Sequence, residues 1–131
     1  IARMIHGFVV KVGLICDVRV GNAFVDVYGK CGKMKNSLQV FSEITNKNAV
    51  SWNAIITSFA YTKCYNEALN MFKLMIDSKV NLDGVTISSM LPVVVELEHF
   101  DVGMEIHAVS IRKELDSDLY IMNSLIYMYA K

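Results

Sequence analysis

The sequence predicts an all-α solenoid of stacked antiparallel helix pairs, and three observations predict it. The stretch VSWNAIITSFAYTKCYNEALNMFKLMIDSKVNLD, residues 50–83, holds two short amphipathic segments with a break between them. Trp52, Ile55, Ile56, Phe59 and Ala60 recur at the spacing that lines one face of a helix, and Ala68, Leu69, Phe72, Met75 and Ile76 line a second. Residues 62–66, polar apart from Cys64 and Tyr65, supply the turn. A pair this short cannot bury its apolar face alone, so stability requires stacked copies.

Those copies are present. A step of 31 residues back from the Trp52 template lands on Gly21, Phe24, Val25, Tyr28 and Gly29. A step of 35 forward lands on Ile87, Met90, Leu91, Val94 and Val95, and another 35 on Met122, Leu125, Ile126, Tyr129 and Ala130. Each second helix carries a small residue on the same steps, Ala2, Ser37, Ala68 and Gly103, where a neighbouring helix can approach closely. The third observation is the full cycle of 101 residues, over which 1–30 match 102–131 at Ile5, His6, Leu14, Asp17, Asn22, Tyr28 and Lys30.

Taken in order, residues 1–11 read as the second helix of a repeat, with Gly13 as its stop and Asp17 closing the loop. A first helix follows over 19–30, then the turn at Cys31 and Gly32, then a second helix over 34–44 with Leu38, Val40 and Phe41 inward. The polar loop 45–48 leads into the central pair. After Asp83 and Gly84 a first helix starts near Val85, and Pro92 predicts a kink or an early break, because proline lacks the N–H and clashes with the preceding turn. The next second helix covers 100–113, with Gly103, Ile106 and His107 on its packing side; a loop covers 115–118; a last first helix covers 119–131. The sum is eight helices and no strand, each pair held by its neighbours.

At 131 residues and 53% hydrophobic, the chain has material for a core of ordinary domain size. The longest apolar candidate, 87–95, contains serines and Pro92 and falls short of the roughly 18 residues a membrane span needs. No membrane partner is expected. The chain opens on Ile1 and closes inside a periodic segment, so the expectation is a piece of a longer protein whose targeting sequence lies elsewhere. Thirteen basic and thirteen acidic residues cancel, which argues against a polyanion binder acting through bulk charge but leaves base-by-base contacts open. Cys16, Cys31 and Cys64 are odd in number and lack metal-ligand spacing. They read as reduced core or helix-end residues, and point to a reducing compartment.

Two polar positions recur beside the template. One residue past its first member stand Asn22, Asn53, Ser88 and Asn123, and each repeat ends on Asp17, Asn48, Asp83 or Asp118. Amides and carboxylates at two fixed sites per repeat form a donor and acceptor set able to address one base edge. Helix capping alone accounts for the loop-end set. It accounts poorly for the asparagines, which are mediocre helix formers, and the structural explanation for them is hydrogen bonding between repeats.

The motifs VSWNAIITSFA with NEALNMFKLM, VGNAFVDVYGKCG with SLQVF, VTISSMLPVV with GMEIHAVSIRKE, and NSLIYMYAK resemble those of the pentatricopeptide repeat family, plant-type P-L-S subclass, over the whole chain. The resemblance divides it into 1–17 (end of an L-like repeat), 18–48 (S-like), 49–83 (P-like), 84–118 (L-like) and 119–131 (start of an S-like repeat). It implies a right-handed superhelix of the pentatricopeptide/tetratricopeptide kind. It also implies sequence-specific binding of single-stranded RNA in mitochondria or chloroplasts, one nucleotide per repeat, with other RNA-editing proteins as candidate partners and no DNA.

Carried over residue by residue, Asn53 with Asp83 would favour uracil and Asn22 with Asn48 cytosine. Ser88 with Asp118 is formally a guanine pair, although L-type units follow the code loosely, and Asn123 and Asp17 lack their partners in this chain. The subclass commonly directs cytidine-to-uridine RNA editing, with a deaminase-like domain that would lie beyond Lys131. Its zinc site needs His-x-Glu and Cys-x-x-Cys, and neither occurs here. No catalysis, cofactor or metal is therefore expected of this segment; His6 and His107 read as surface or packing residues and His99 as a loop residue. The alternative is a tetratricopeptide-like scaffold gripping a peptide, against which stand the 31/35/35 cycle and the recurrent asparagine.

Overall fold

The computed structural model describes residues 17–113 and 119–130. Within them lie seven helices and no strand: α1 (Val18–Lys30), α2 (Met34–Glu43), α3 (Ala49–Tyr61), α4 (Tyr65–Asp77), α5 (Gly84–Glu96), α6 (Phe100–Arg112) and α7 (Leu119–Ala130). The expected helix over 1–11 falls outside the described residues. Tyr65 and Asn66, expected in the turn, already belong to α4. The first helices α1, α3, α5 and α7 form one row in which each touches the next, while α2, α4 and α6 each pack on their own first helix. That is an all-α helical-repeat solenoid.

The helix ends follow one plan. Asp17, Asn48 and Asp83 cap α1, α3 and α5 by accepting from Arg19 N–H at 2.9 Å, Ser51 N–H at 3.0 Å and Thr86 N–H at 3.1 Å, each satisfying a backbone donor that has no partner within the helix. Helices α1, α3 and α5 are each followed by a left-handed residue, Gly32 (φ 76°), Lys63 (φ 64°) and Glu98 (φ 57°). The following N–H reaches back across the turn: Lys33 to Tyr28 C=O at 2.9 Å, Cys64 to Phe59 C=O at 2.8 Å and His99 to Val94 C=O at 2.9 Å. This stop turns the chain sharply into each second helix, and the sequence shows its glycine at only one of the three.

The core is one cluster running along the row. Val25, Tyr28, Ile55, Ile56, Ile87, Met90 and Leu91 are fully or almost fully buried, and Trp52 meets the Phe41 ring edge-on with centroids 4.9 Å apart. The recurrent small residues sit at close approaches. Ser37 and Ala68 are fully buried, Ser37 donating to Val25 C=O at 2.8 Å, and a Cβ on Gly103 would run into the Met128 sulfur.

Several expectations need correction. Pro92 does not break its helix early; α5 runs through it to Glu96. Omitting one hydrogen bond and crowding the preceding turn costs about 3 kcal/mol. Past the proline, Val93, Val94 and Val95 are all buried, and at roughly 1.5–3 kcal/mol each that burial outweighs the cost. Leu38, expected inward, is exposed because the buried stripe of α2 runs through Ser37, Val40 and Phe41. Ile76 is exposed for the same reason, one residue off the stripe ending in Met75. In α7 it is Ile121, Leu125 and Met128 that pack inward, whereas Met122, Ile126 and Tyr129 of the template are exposed, Tyr129 meeting only the His107 ring of α6 edge-on among the described ring contacts.

Candidate functional site

Because the first helices stand side by side, residues at equivalent positions repeat along one wall of the solenoid. Between α1 and α3 that wall holds a groove of 440 Å³ lined by Asn22 and Asp26 of α1, Val50 and Asn53 of α3, and Asp83 and Val85 where α5 begins. It continues past Asp26 and Thr57 into a recess of 150 Å³ beside Lys30 and Tyr61. Lys30 is paired with Asp26 at 3.0 Å, so the trough is not a basic channel.

Two of the expected residue pairs meet across repeat junctions. Asn53 Nδ2 donates to Asp83 Oδ1 at 3.0 Å, and Asn22 Nδ2 donates to Asn48 Oδ1 at 3.4 Å. Asn53 and Asn22 are 7% and 8% exposed, so each shows only an edge to the groove. Helix α3 sets both positions, since Asn48 precedes its first residue and Asn53 follows Trp52 on it. The hydrogen bonding between repeats that would explain the recurrent asparagine is thus real at both junctions, and so is the capping role of Asp17, Asn48 and Asp83.

The remaining candidates are not brought together. Ser88 donates to Val85 C=O within its own helix at 3.2 Å, and its companion Asp118 lies outside the described residues. Asn123 is exposed on α7. Asp17 binds Arg19, with the guanidinium 3.2 Å away; the Arg19 side chain first, and its backbone N–H second, hold the Asp17 carboxyl below its ordinary value of 3.8. His107 is half-buried, with Nδ1 2.7 Å from Tyr129 OH, while His99 takes the N-cap position of α6. Cys31 and Cys64, both free, stand at helix ends, as the sequence indicates.

Four residues of the site escaped the sequence reading. Thr86 Oγ1 donates to Asn53 Oδ1 at 2.6 Å, while its N–H and the N–H of Asp83 complete a reciprocal cap. Ser51 forms the same reciprocal cap with Asn48, its hydroxyl 3.0 Å from Asn48 Oδ1 as that of Thr86 is 3.1 Å from Asp83 Oδ1, but it has no bond to Asn22. Val50 and Val85, 59% and 53% exposed, put apolar faces on either side of Asn53. The signal for the first two was legible, since a serine or threonine stands three residues after each capping Asn48 or Asp83. Nothing marked the valines as exposed.

Among the described residues no three His, Cys, Asp or Glu side chains gather as metal ligands, and no helix is long and apolar enough to cross a membrane.

Comparison with known proteins bears on this arrangement. The family profile described as PPR repeat matches residues 22–48 and 50–80. A pentatricopeptide repeat-containing protein of Arabidopsis thaliana is 36% identical over 128 residues, covering 97% of this chain and 18% of its own length. Another from the same plant, named as chloroplastic, is 37% identical and covers all of this chain and 24% of its own length; a third, named as mitochondrial, is 33% identical over 98% of this chain and 12% of its own length. The chain therefore spans a quarter or less of these relatives. The crystal structure of the pentatricopeptide repeat protein PPR10 from maize superposes with a TM-score of 0.66 at 19% identity, over 86% of this chain and 17% of that one, which establishes the likeness of fold.

Proposed function

Since the chain belongs to the pentatricopeptide repeat family, we propose that it binds single-stranded RNA in sequence-specific fashion, each repeat junction reading one nucleotide through the two side chains that meet there. The observation that carries this reading is the Asn53–Asp83 pair, bonded across a junction at the wall of an open groove and matched by Asn22–Asn48 one repeat earlier.

The caps supply a physical basis for choosing between bases. Capping commits one oxygen of the loop-end side chain to the helix, so the other terminal atom is what remains for a ligand. At Asp83 that atom is Oδ2, an acceptor suited to the N3–H of uracil; at Asn48 it is Nδ2, a donor suited to the bare N3 of cytosine. Nδ2 of Asn53 keeps a second hydrogen after bonding Asp83, and this can donate to a base carbonyl. Val50 and Val85 offer apolar contact to the base faces. On this reading Asn53 with Asp83 selects uracil and Asn22 with Asn48 selects cytosine, and Ser88 with Asp118, Asn123 and Asp17 belong to junctions that this chain shows only in part.

The order of repeat lengths supports the P-L-S subclass, with repeats at 18–48, 49–83 and 84–118, and with it a role in organellar RNA modification, C-to-U editing above all. Relatives named as chloroplastic or mitochondrial support an organellar site of action. The test is selection from a randomised RNA pool with the full-length protein and its Asp83→Asn variant. The variant should move the preference at one position from uracil towards cytosine and leave the flanking positions alone. An unchanged preference overturns the proposal.

A further inference from the structure

We infer that Thr86 is a positioning residue for base selection, its hydroxyl fixing which edge of the Asn53 amide meets the nucleotide. This rests on the base-reading proposal above and adds to it a third residue, drawn from the following repeat.

The two ends of an asparagine amide have nearly the same shape and opposite hydrogen-bonding sense. A reader that can present either end discriminates poorly between a donor and an acceptor on a base, so something has to hold it. At Asn53 two groups do. Asp83 Oδ1 takes a hydrogen from Nδ2 at 3.0 Å, and Thr86 Oγ1 donates to Oδ1 at 2.6 Å. Thr86 is itself fixed: it is fully buried, its N–H caps on Asp83, and its oxygen accepts from the Asp83 N–H at 3.3 Å. Turning the Asn53 amide over would set its carbonyl against a carboxylate and abandon the shortest bond of the cluster.

The preceding junction shows the same parts without that clamp. Ser51 fills the place of Thr86, equally buried, and both hydroxyls lie within reach of the capping oxygen, 3.0 Å from Asn48 Oδ1 and 3.1 Å from Asp83 Oδ1, but only Thr86 also reaches the asparagine carbonyl of the preceding repeat. Asn22 Oδ1 is buried with no partner, and the Asn22–Asn48 contact lengthens to 3.4 Å. A buried carbonyl without a donor gains by turning towards any donor it can reach, so the Asn22 amide is held loosely where the Asn53 amide is held firmly. Discrimination between bases is accordingly sharper at the second junction than at the first.

The experiment compares nucleotide preferences selected from a randomised single-stranded RNA pool by the full-length protein and its Thr86→Val, Thr86→Ser, Ser51→Thr and Asp83→Asn variants. Thr86→Val keeps the shape and removes the hydroxyl; discrimination at the Asn53 nucleotide should fall about tenfold, the worth of about one buried hydrogen bond, with flanking positions as internal reference. Thr86→Ser, which restores the hydroxyl without the methyl that restricts its rotation, should recover only part of it. Ser51→Thr should sharpen the preference at the Asn22 nucleotide. If Asp83→Asn shifts the preference while Thr86→Val and Ser51→Thr leave theirs unchanged, Thr86 has no positioning role and the base-reading proposal stands. If no variant moves any preference, both are overturned. Should Thr86→Val fail to fold by circular dichroism, Ser51→Thr decides, an unaltered preference counting against the inference.

Discussion

At the junction between α3 and α5, both ends of the Asn53 amide are bonded, at 3.0 Å to Asp83 and at 2.6 Å to Thr86. At the junction between α1 and α3, Asn22 makes one long contact of 3.4 Å to Asn48 and leaves its oxygen without a donor. The helices, caps and burial are alike, so the difference lies in two substitutions, aspartate for asparagine at the repeat end and threonine for serine three residues later. A carboxylate is the stronger acceptor, and the asparagine contact across the junction is the bond that differs, 3.0 Å to Asp83 against 3.4 Å to Asn48, while the cap bonds are equal within 0.1 Å. One helix-pair architecture thereby yields a tight junction and a loose one.

Removing the repeat-end side chain breaks this comparison most severely. Asp83→Ala deletes the cap of α5, worth about 1 kcal/mol, and also strands the buried Asn53 N–H, for a total of roughly 2–4 kcal/mol. Asn48→Ala should lose little beyond its cap, about 1 kcal/mol, because the Asn22 contact it forfeits is already long. Urea unfolding of the two variants measures both, and equal losses would mean that the junctions are energetically the same despite their geometry.

The converse substitution sharpens the comparison. Asn48→Asp gives the first junction the acceptor of the second and should stabilise the chain by about 0.5–1 kcal/mol. The gain should vanish in a background of Asn22→Ala, since it depends on that one amide; a double-mutant cycle reads the coupling directly. A gain that survives the loss of Asn22 would instead belong to the α3 cap.

How much of this could be read beforehand follows from what each feature depends on. The helix row was legible because periodic apolar residues such as Ile55, Ile56 and Phe59 report burial directly. The turns at Lys63 and Glu98 were less so, since the left-handed residue there is not glycine and only the repeat of the Gly32 turn reveals it. Of the kink or early break that Pro92 predicts, the break does not occur, because local propensity does not register the three buried valines that follow. At the site, residue types and spacing located Asn22, Asn48, Asn53 and Asp83, whereas their states, one amide doubly bonded and the other half-bonded, depend on differences of tenths of an ångström that no spacing encodes.

The smallest effect expected concerns the third cap of the series. Asp17 binds Arg19 of its own helix, and among the described residues no asparagine of a preceding repeat reaches it. Its carboxyl is held below the ordinary value of 3.8, by the Arg19 side chain first and the Arg19 backbone N–H second. A carboxyl with a lowered folded value stabilises fully above the unfolded value, and that contribution is lost as pH falls through the folded one. The loss should therefore fall in the acid range below 3.8, be slight because the pair lies at the surface, and shrink further with added salt. Thermal melts between about pH 5 and about pH 2 should show it in the parent chain and less of it after Arg19→Ala. An unchanged acid limb in that variant would assign the lowered value to the backbone donor alone, and would make Asp17 a cap of the same plain kind as Asn48.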